Sequence, residues 1–120
     1  MTISFDDIYD KLVLWGYQVT KEPMEQLPPG KIELRYDMSL EPEDVAMTSY
    51  KVMHETTLRW LEASPSTIAT TITHLMGHFG KVYHICHHFE IGKPKVERTN
   101  GTMYNVSITL YWVQWLTIDI

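Results

Sequence analysis

Residues 103–118 carry large apolar side chains on both parities past their midpoint, Leu110 and Trp112 alternating with Tyr111, Val113 and Trp115. Read as a strand, such a segment turns water-avoiding groups to both sides of its sheet, because successive side chains on a strand point to opposite faces. A chain of 120 residues has enough protein for one core and one covering layer. One face of the strand therefore lies under helices, and the other needs a curled sheet, a tolerated partial exposure, or a partner. Aromatic residues concentrate at interface centres, and a large exposed apolar patch marks a binding surface. Tyr111, Val113 and Trp115 are on this ground the candidate oligomer-interface residues.

The rest of the chain supplies the layers. Ser4 and Asp7 resemble a capping box, and Phe5, Ile8, Leu12 and Trp15 recur at helical spacing before Gly16, which predicts a first helix over residues 5–15. Pro23, Pro28, Pro29 and Gly30 forbid regular helix after it. Residues 31–38 alternate strictly, with Ile32, Leu34, Tyr36 and Met38 against Lys31, Glu33, Arg35 and Asp37, as a half-buried strand does. The acidic stretch Glu41, Pro42, Glu43, Asp44 is a turn, and residues 47–62, rich in Thr, Tyr, Val, Leu and Trp, read as a second strand whose far end could also turn helical. Ser64 and Pro65 open a second helix with the stripe Ile68, Ile72, Leu75, Met76 and Phe79, closed by Gly80. Residues 82–91 then read as a third strand, and Asn100-Gly101 turns the chain into the closing strand. The expectation is one α+β domain over residues 1–120, in the order helix, strand, strand, helix, strand, strand, with about four mainly antiparallel strands and both helices packed on one face.

Composition narrows the function. Hydrophobic residues at 44% and charged residues at 21% are ordinary for a globular chain. The net charge of −5 and the absence of any run of Lys or Arg disfavour tight or sequence-specific nucleic-acid binding, which needs clustered cations. A like-charged wall does suit a channel through which a polyanion slides. A single cysteine, Cys86, and an N-terminus without the pattern of a signal peptide point to a reducing cytoplasm. No apolar run is long enough for a membrane span, the nearest candidate at residues 106–118 being interrupted by Ser107, Thr109 and Gln114.

Chemistry is looked for first at His84, Cys86 and His88, which a strand would place on one face as zinc-type ligands. Same-face neighbours on a strand are ~7 Å apart, so three of them converge poorly on one ion with bonds of ~2 Å. His74 and His78 have the i, i+4 spacing of helix-borne ligands without the glutamate of a metalloprotease, and read as the polar edge of an amphipathic helix. Cys86 reads as a buried, inert thiol. There is no glycine-rich phosphate loop, nucleophile elbow or CxxC pair. The chain is expected to be no enzyme, with no catalytic, cofactor or metal residues.

The short amphipathic helix at residues 5–15, the Pro28-Pro29-Gly30 approach to the first strand, the long strand from Tyr50, Lys51 and Val52 onward, the central helix from Ser64 and the closing Tyr111-Trp112-Val113-Gln114-Trp115 together resemble the tail-terminator and tail-completion (head-to-tail joining) proteins of long-tailed bacteriophages. The similarity covers nearly the whole chain and is architectural. It implies a sheet flanked by helices, a homo-oligomeric ring, commonly a hexamer, and contacts with the tail-tube protein and head-connector proteins. It also implies a lumen that passes DNA, a place in the virion tail or head-tail junction after assembly in the host cytoplasm, and no catalytic residues or cofactor. Two other classes stand beside it: a small inhibitor or adaptor that binds one host protein, and a His/Cys metal-binding enzyme or sensor.

Overall fold

A computed structural model describes residues 3–43, 49–86, 88–99 and 101–117. Asp44 of the acidic turn, Met47 at the start of the second expected strand, His87, Asn100 of the expected hairpin and Ile118 at the end of the closing strand lie outside the described residues. Along the chain run α1 (Phe5–Leu14), β1 (Gln18–Thr20), β2 (Lys31–Pro42), β3 (Ser49–Glu62), α2 (Pro65–Tyr83), β4 (Glu90–Ile91), β5 (Lys95–Arg98) and β6 (Tyr104–Thr117). The strands form one six-stranded mixed sheet in the order β1, β2, β3, β6, β4, with β5 also on β6. The pairing of β1 with β2 is parallel and the remaining pairings are antiparallel.

The expected four-stranded, mainly antiparallel sheet in the order helix, strand, strand, helix, strand, strand is therefore corrected. β1, β4 and β5 are segments of 3, 2 and 4 residues, too short for alternation to show in sequence. The loop after β1 brings the chain back so that β2 runs alongside β1 in the same direction. The third strand expected at residues 82–91 is mostly replaced: α2 continues through Gly80 to Tyr83, residues 84–86 turn, and only Glu90–Ile91 pairs. The helix does not stop at Gly80 because its buried stripe does not stop there. Ile68, Leu75, Phe79 and Tyr83 are all buried on it, and sealing a tyrosine ring outweighs the ~1 kcal/mol that a glycine costs inside a helix.

Local chemistry sets the helix starts. The Ser4 Oγ accepts the Asp7 amide (3.1 Å) at the head of α1, and the Ser64 Oγ accepts the Thr67 amide (3.4 Å) at the head of α2, where Pro65 fits the first turn. Gly16, at φ 93, takes the left-handed conformation that lets the chain leave α1.

Register decides the core. Ile32 and Leu34 of β2, Leu58 and Trp60 of β3, and Val106, Ile108 and Leu110 of β6 share one face, with Leu34 opposite Leu58 and Leu58 opposite Ile108. Ile8 and Leu12 of α1 and Ile68, Leu75, Phe79 and Tyr83 of α2 complete the same cluster, so both helices cover that face. The helices are locked to each other where the Tyr83 hydroxyl donates to Asp7, whose carboxylate also holds Lys11 (2.9 Å). Burial alone would raise the Asp7 pKa, but these two donors hold it below its ordinary value. Glu33 is fully buried on the opposite face and takes Arg35 (2.6 Å), Arg59 (3.3 Å) and the Met24 amide (3.1 Å). Its burial is likewise overcome, and its carboxyl is held low by Arg59, Met24 and Arg35.

Beyond the helices the three long strands go on. Met38 and Leu40, Met53, and Trp115 and Leu116 are exposed on a three-stranded arm made of the far ends of β2, β3 and β6. The molecule measures 55 × 28 × 22 Å, and its radius of gyration of 16.4 Å exceeds the roughly 13–14 Å of a compact chain this long.

Two expectations follow. Gly80 is helical with nothing within 4 Å of an added Cβ, so Gly80→Ala should stabilise the fold by about 0.5–1 kcal/mol in urea unfolding. A loss would mean that the helix ends there after all. For acid stability the folded pKa values of Asp7 and Glu33 lie below their ordinary values of 3.8 and 4.5, so the unfolded chain takes up these protons first. Their contribution is present above those ordinary values and is lost as the pH falls below them. Glu33→Gln should cost about 1–3 kcal/mol at neutral pH and flatten the acid limb of a melting profile.

Candidate functional site

The surface most in need of a partner is the arm. On β6 the residues singled out in the sequence share one face: Tyr111 is 41% and Trp115 49% exposed, and Val113 is half-buried. Met53 of β3 stands opposite Val113 and extends the patch. Two contacts hold its shape. Tyr111 lies so close to Gly92 that a Cβ there would stand 2.9 Å from the ring, and the His88 ring meets Trp115 edge-on at 4.7 Å.

The other face of the arm carries a second apolar row that the sequence reading did not single out. Tyr36 was placed on a half-buried strand ending at Met38, but β2 runs on to Pro42, and Met38 and Leu40 are 51% and 55% exposed. Leu116 of β6 is exposed on the same face. The signal was present in the continued alternation Met38, Ser39, Leu40; the proline and acids that follow hid it.

At the root of the arm a polar clasp ties the three strands together. His54 of β3 stacks on Trp112 of β6 (ring centroids 5.1 Å, 7° between planes) and bonds through its two ring nitrogens to Tyr36 of β2 and Gln114 of β6. Each ring nitrogen thus has a partner on a different strand, and which of the two carries the proton follows from the tautomer. Burial, helped by the charge of Asp37, pushes the Tyr36 phenol up and keeps it a donor. Phe5, at the start of α1, lies 5.6 Å from the Tyr36 ring, so the helix layer ends at this clasp.

The histidines and cysteine weighed as ligands are dispersed by the lengthened helix. His84 follows the last turn of α2 with its Nδ1 against the Lys81 carbonyl (2.7 Å), Cys86 is half-buried in the turn and packed on the core, and His88, at φ 60, leans on Trp115. His78 stacks on Trp15 (4.8 Å) and meets His74 edge-on, so it serves the packing of α2 on α1. Among the described residues no group of three His, Cys, Asp or Glu is placed to hold a metal ion. Among the described residues no helix is long and apolar enough to cross a membrane.

Stripping the protein with a chelator should accordingly leave its melting temperature and far-UV spectrum unchanged, and a drop restored by Zn²⁺ would reinstate a metal centre. No family model and no curated protein matches the sequence, so function is argued from the arm and its chemistry.

Proposed function

We propose that this chain is a structural virion protein that assembles into a ring at the end of a phage tail tube or at the head-tail junction, without catalysis. One observation carries the reading: three long strands extend past the helix layer and expose apolar side chains on both faces. Subunits of a ring bury such apolar faces in one another.

Several features agree with it. The segments on which the resemblance rests are α1, the turn into β2, β3, α2 and β6, which together frame the body and the arm. The uncovered face of the sheet is polar over the body, with Arg35, Asp37, Glu55, Thr57, Arg59 and Thr109, and the chain as a whole is acidic, as suits a passage for DNA that must not stick. The tail-tube protein and a head-connector protein are the partners above and below the ring.

Native mass measurement should show a closed oligomer, with six copies as the first expectation, and the protein should cap added tail tubes. Trp115→Glu should weaken self-association at least tenfold, or about 1.4 kcal/mol, while leaving the monomer's far-UV spectrum unchanged. A strict monomer at high concentration that ignores tail tubes sinks the proposal, and a one-to-one complex with a host protein would put an inhibitor or adaptor in its place.

A further inference from the structure

Both edges of the sheet are covered by the chain's own short strands at the body and left open along the arm. β1 pairs with β2 only from Lys31 to Glu33, and β4 and β5 pair with β6 no farther than Tyr111. Among the described residues, then, 34–42 of β2 and 112–117 of β6 have no strand on their outer side. Open edges of this kind present rows of amides and carbonyls to any strand that fits.

The direction of those groups can be followed through the ladders. The Gly92 amide donates to the Thr109 carbonyl (2.7 Å), so odd-numbered residues of β6 face outward. Leu110 therefore faces β3, its opposite number Thr56 faces β6, Arg59 faces β2, and Glu33 faces β3. That leaves the even-numbered residues of β2 facing outward, and the Met38 amide indeed turns to the carboxylate of its neighbour Asp37 (2.9 Å).

This alternation selects a partner and a direction. β2 and β6 both run antiparallel to β3, so they run parallel to each other. If β6 of one copy meets β2 of the next in parallel, each outward residue sits in register with one that faces away, and odd-numbered side chains of one strand adjoin odd-numbered side chains of the other. The helix-bearing faces then continue from copy to copy. Antiparallel pairing of the same two edges would set odd against even and turn one sheet over. A twofold pairing of two β2 edges keeps the faces but leaves β6 open. Side chains agree with the parallel arrangement: the β6 edge carries no charge to oppose Arg35, Asp37 or Glu41, and Tyr36, Met38 and Leu40 continue the row of Trp112 and Leu116.

We propose that the copies join by parallel pairing of the open β6 edge, residues 112–117, with the open β2 edge, residues 34–42, of the next copy, a head-to-tail contact that repeats around a ring. This rests on the ring reading and specifies its seam. Before assembly, Asp37 occupies the Met38 amide and guards the edge against indiscriminate strands. On assembly that amide changes partner.

The test uses the full chain. Met38→Pro removes an outward amide and places a ring on the edge without breaking a bond to β3, so the monomer should keep its far-UV spectrum while its self-association weakens at least tenfold. Residue-resolved hydrogen exchange of the wild type, free and assembled, reads the seam even if that variant does not fold. The amides of Met38 and Leu40 on one edge and Val113, Trp115 and Thr117 on the other should all gain protection. Assembly with full-strength Met38→Pro, or with protection absent from either edge, overturns the edge pairing and leaves the ring reading standing. A wild type that never assembles overturns both.

Discussion

Everything in this molecule is referred to the ladder between β3 and β6, which runs unbroken from Ser49 opposite Thr117 to Glu62 opposite Tyr104. It puts Leu58, Trp60, Val106, Ile108 and Leu110 on one face and Thr57, Arg59, Ser107 and Thr109 on the other. A slip by one residue would exchange those sets and bury Arg59 and three hydroxyls, so the register is held by the hydrophobic energy of the core. The hydroxyls of Thr57 and Thr109, bonded to each other at 3.0 Å across the outer face, mark the same alignment. Since β2 pairs with β3 over most of its length, fixing one ladder fixes the other.

The helix layer then determines how much of the ladder becomes core. α2 is 19 residues long and α1 only 10, and the two are tied through Asp7 and Tyr83. The layer ends two residues from that tie, at Phe5 over Tyr36, where His54, Trp112 and Gln114 close the root of the arm. A continuous ladder of 14-residue strands with a shorter cover must leave an uncovered end, and the arm is that remainder.

Much of this was legible in the sequence where periodicity is long. The capped start of each helix, the alternation of β2 and the two-sided closing strand all lie in runs of ten residues or more, and they were read from Ser4, Ser64, Ile32 to Met38 and Leu110 to Trp115. What escaped was set by tertiary contact or by brevity. The end of α2 was misplaced because Gly80 looks like a stop, and only the buried site waiting for Tyr83 says otherwise. β1, β4 and β5 exist because an edge of β2 or β6 was there to receive them. His54 gave no signal at all; its two bonds depend on Tyr36 and Gln114, 18 and 60 positions away in the chain.

The arm also poses an energetic question whose answer bears on its purpose. Ordering a residue's backbone costs ~1–2 kcal/mol, and a cross-strand pair returns only ~0.2–1 kcal/mol. In the body that deficit is offset by burial under helices; among the described residues, Met38, Leu40, Met53, Trp115 and Leu116 of the arm stay 36–55% exposed. The clasp at His54 stiffens the root, but isolated ribbons are marginal in water. The balance shifts once a neighbouring sheet covers those side chains and takes up the outward amides, because one contact then returns both the apolar and the hydrogen-bond terms. An arm that gains both terms only against a second copy fits the ring subunit proposed above.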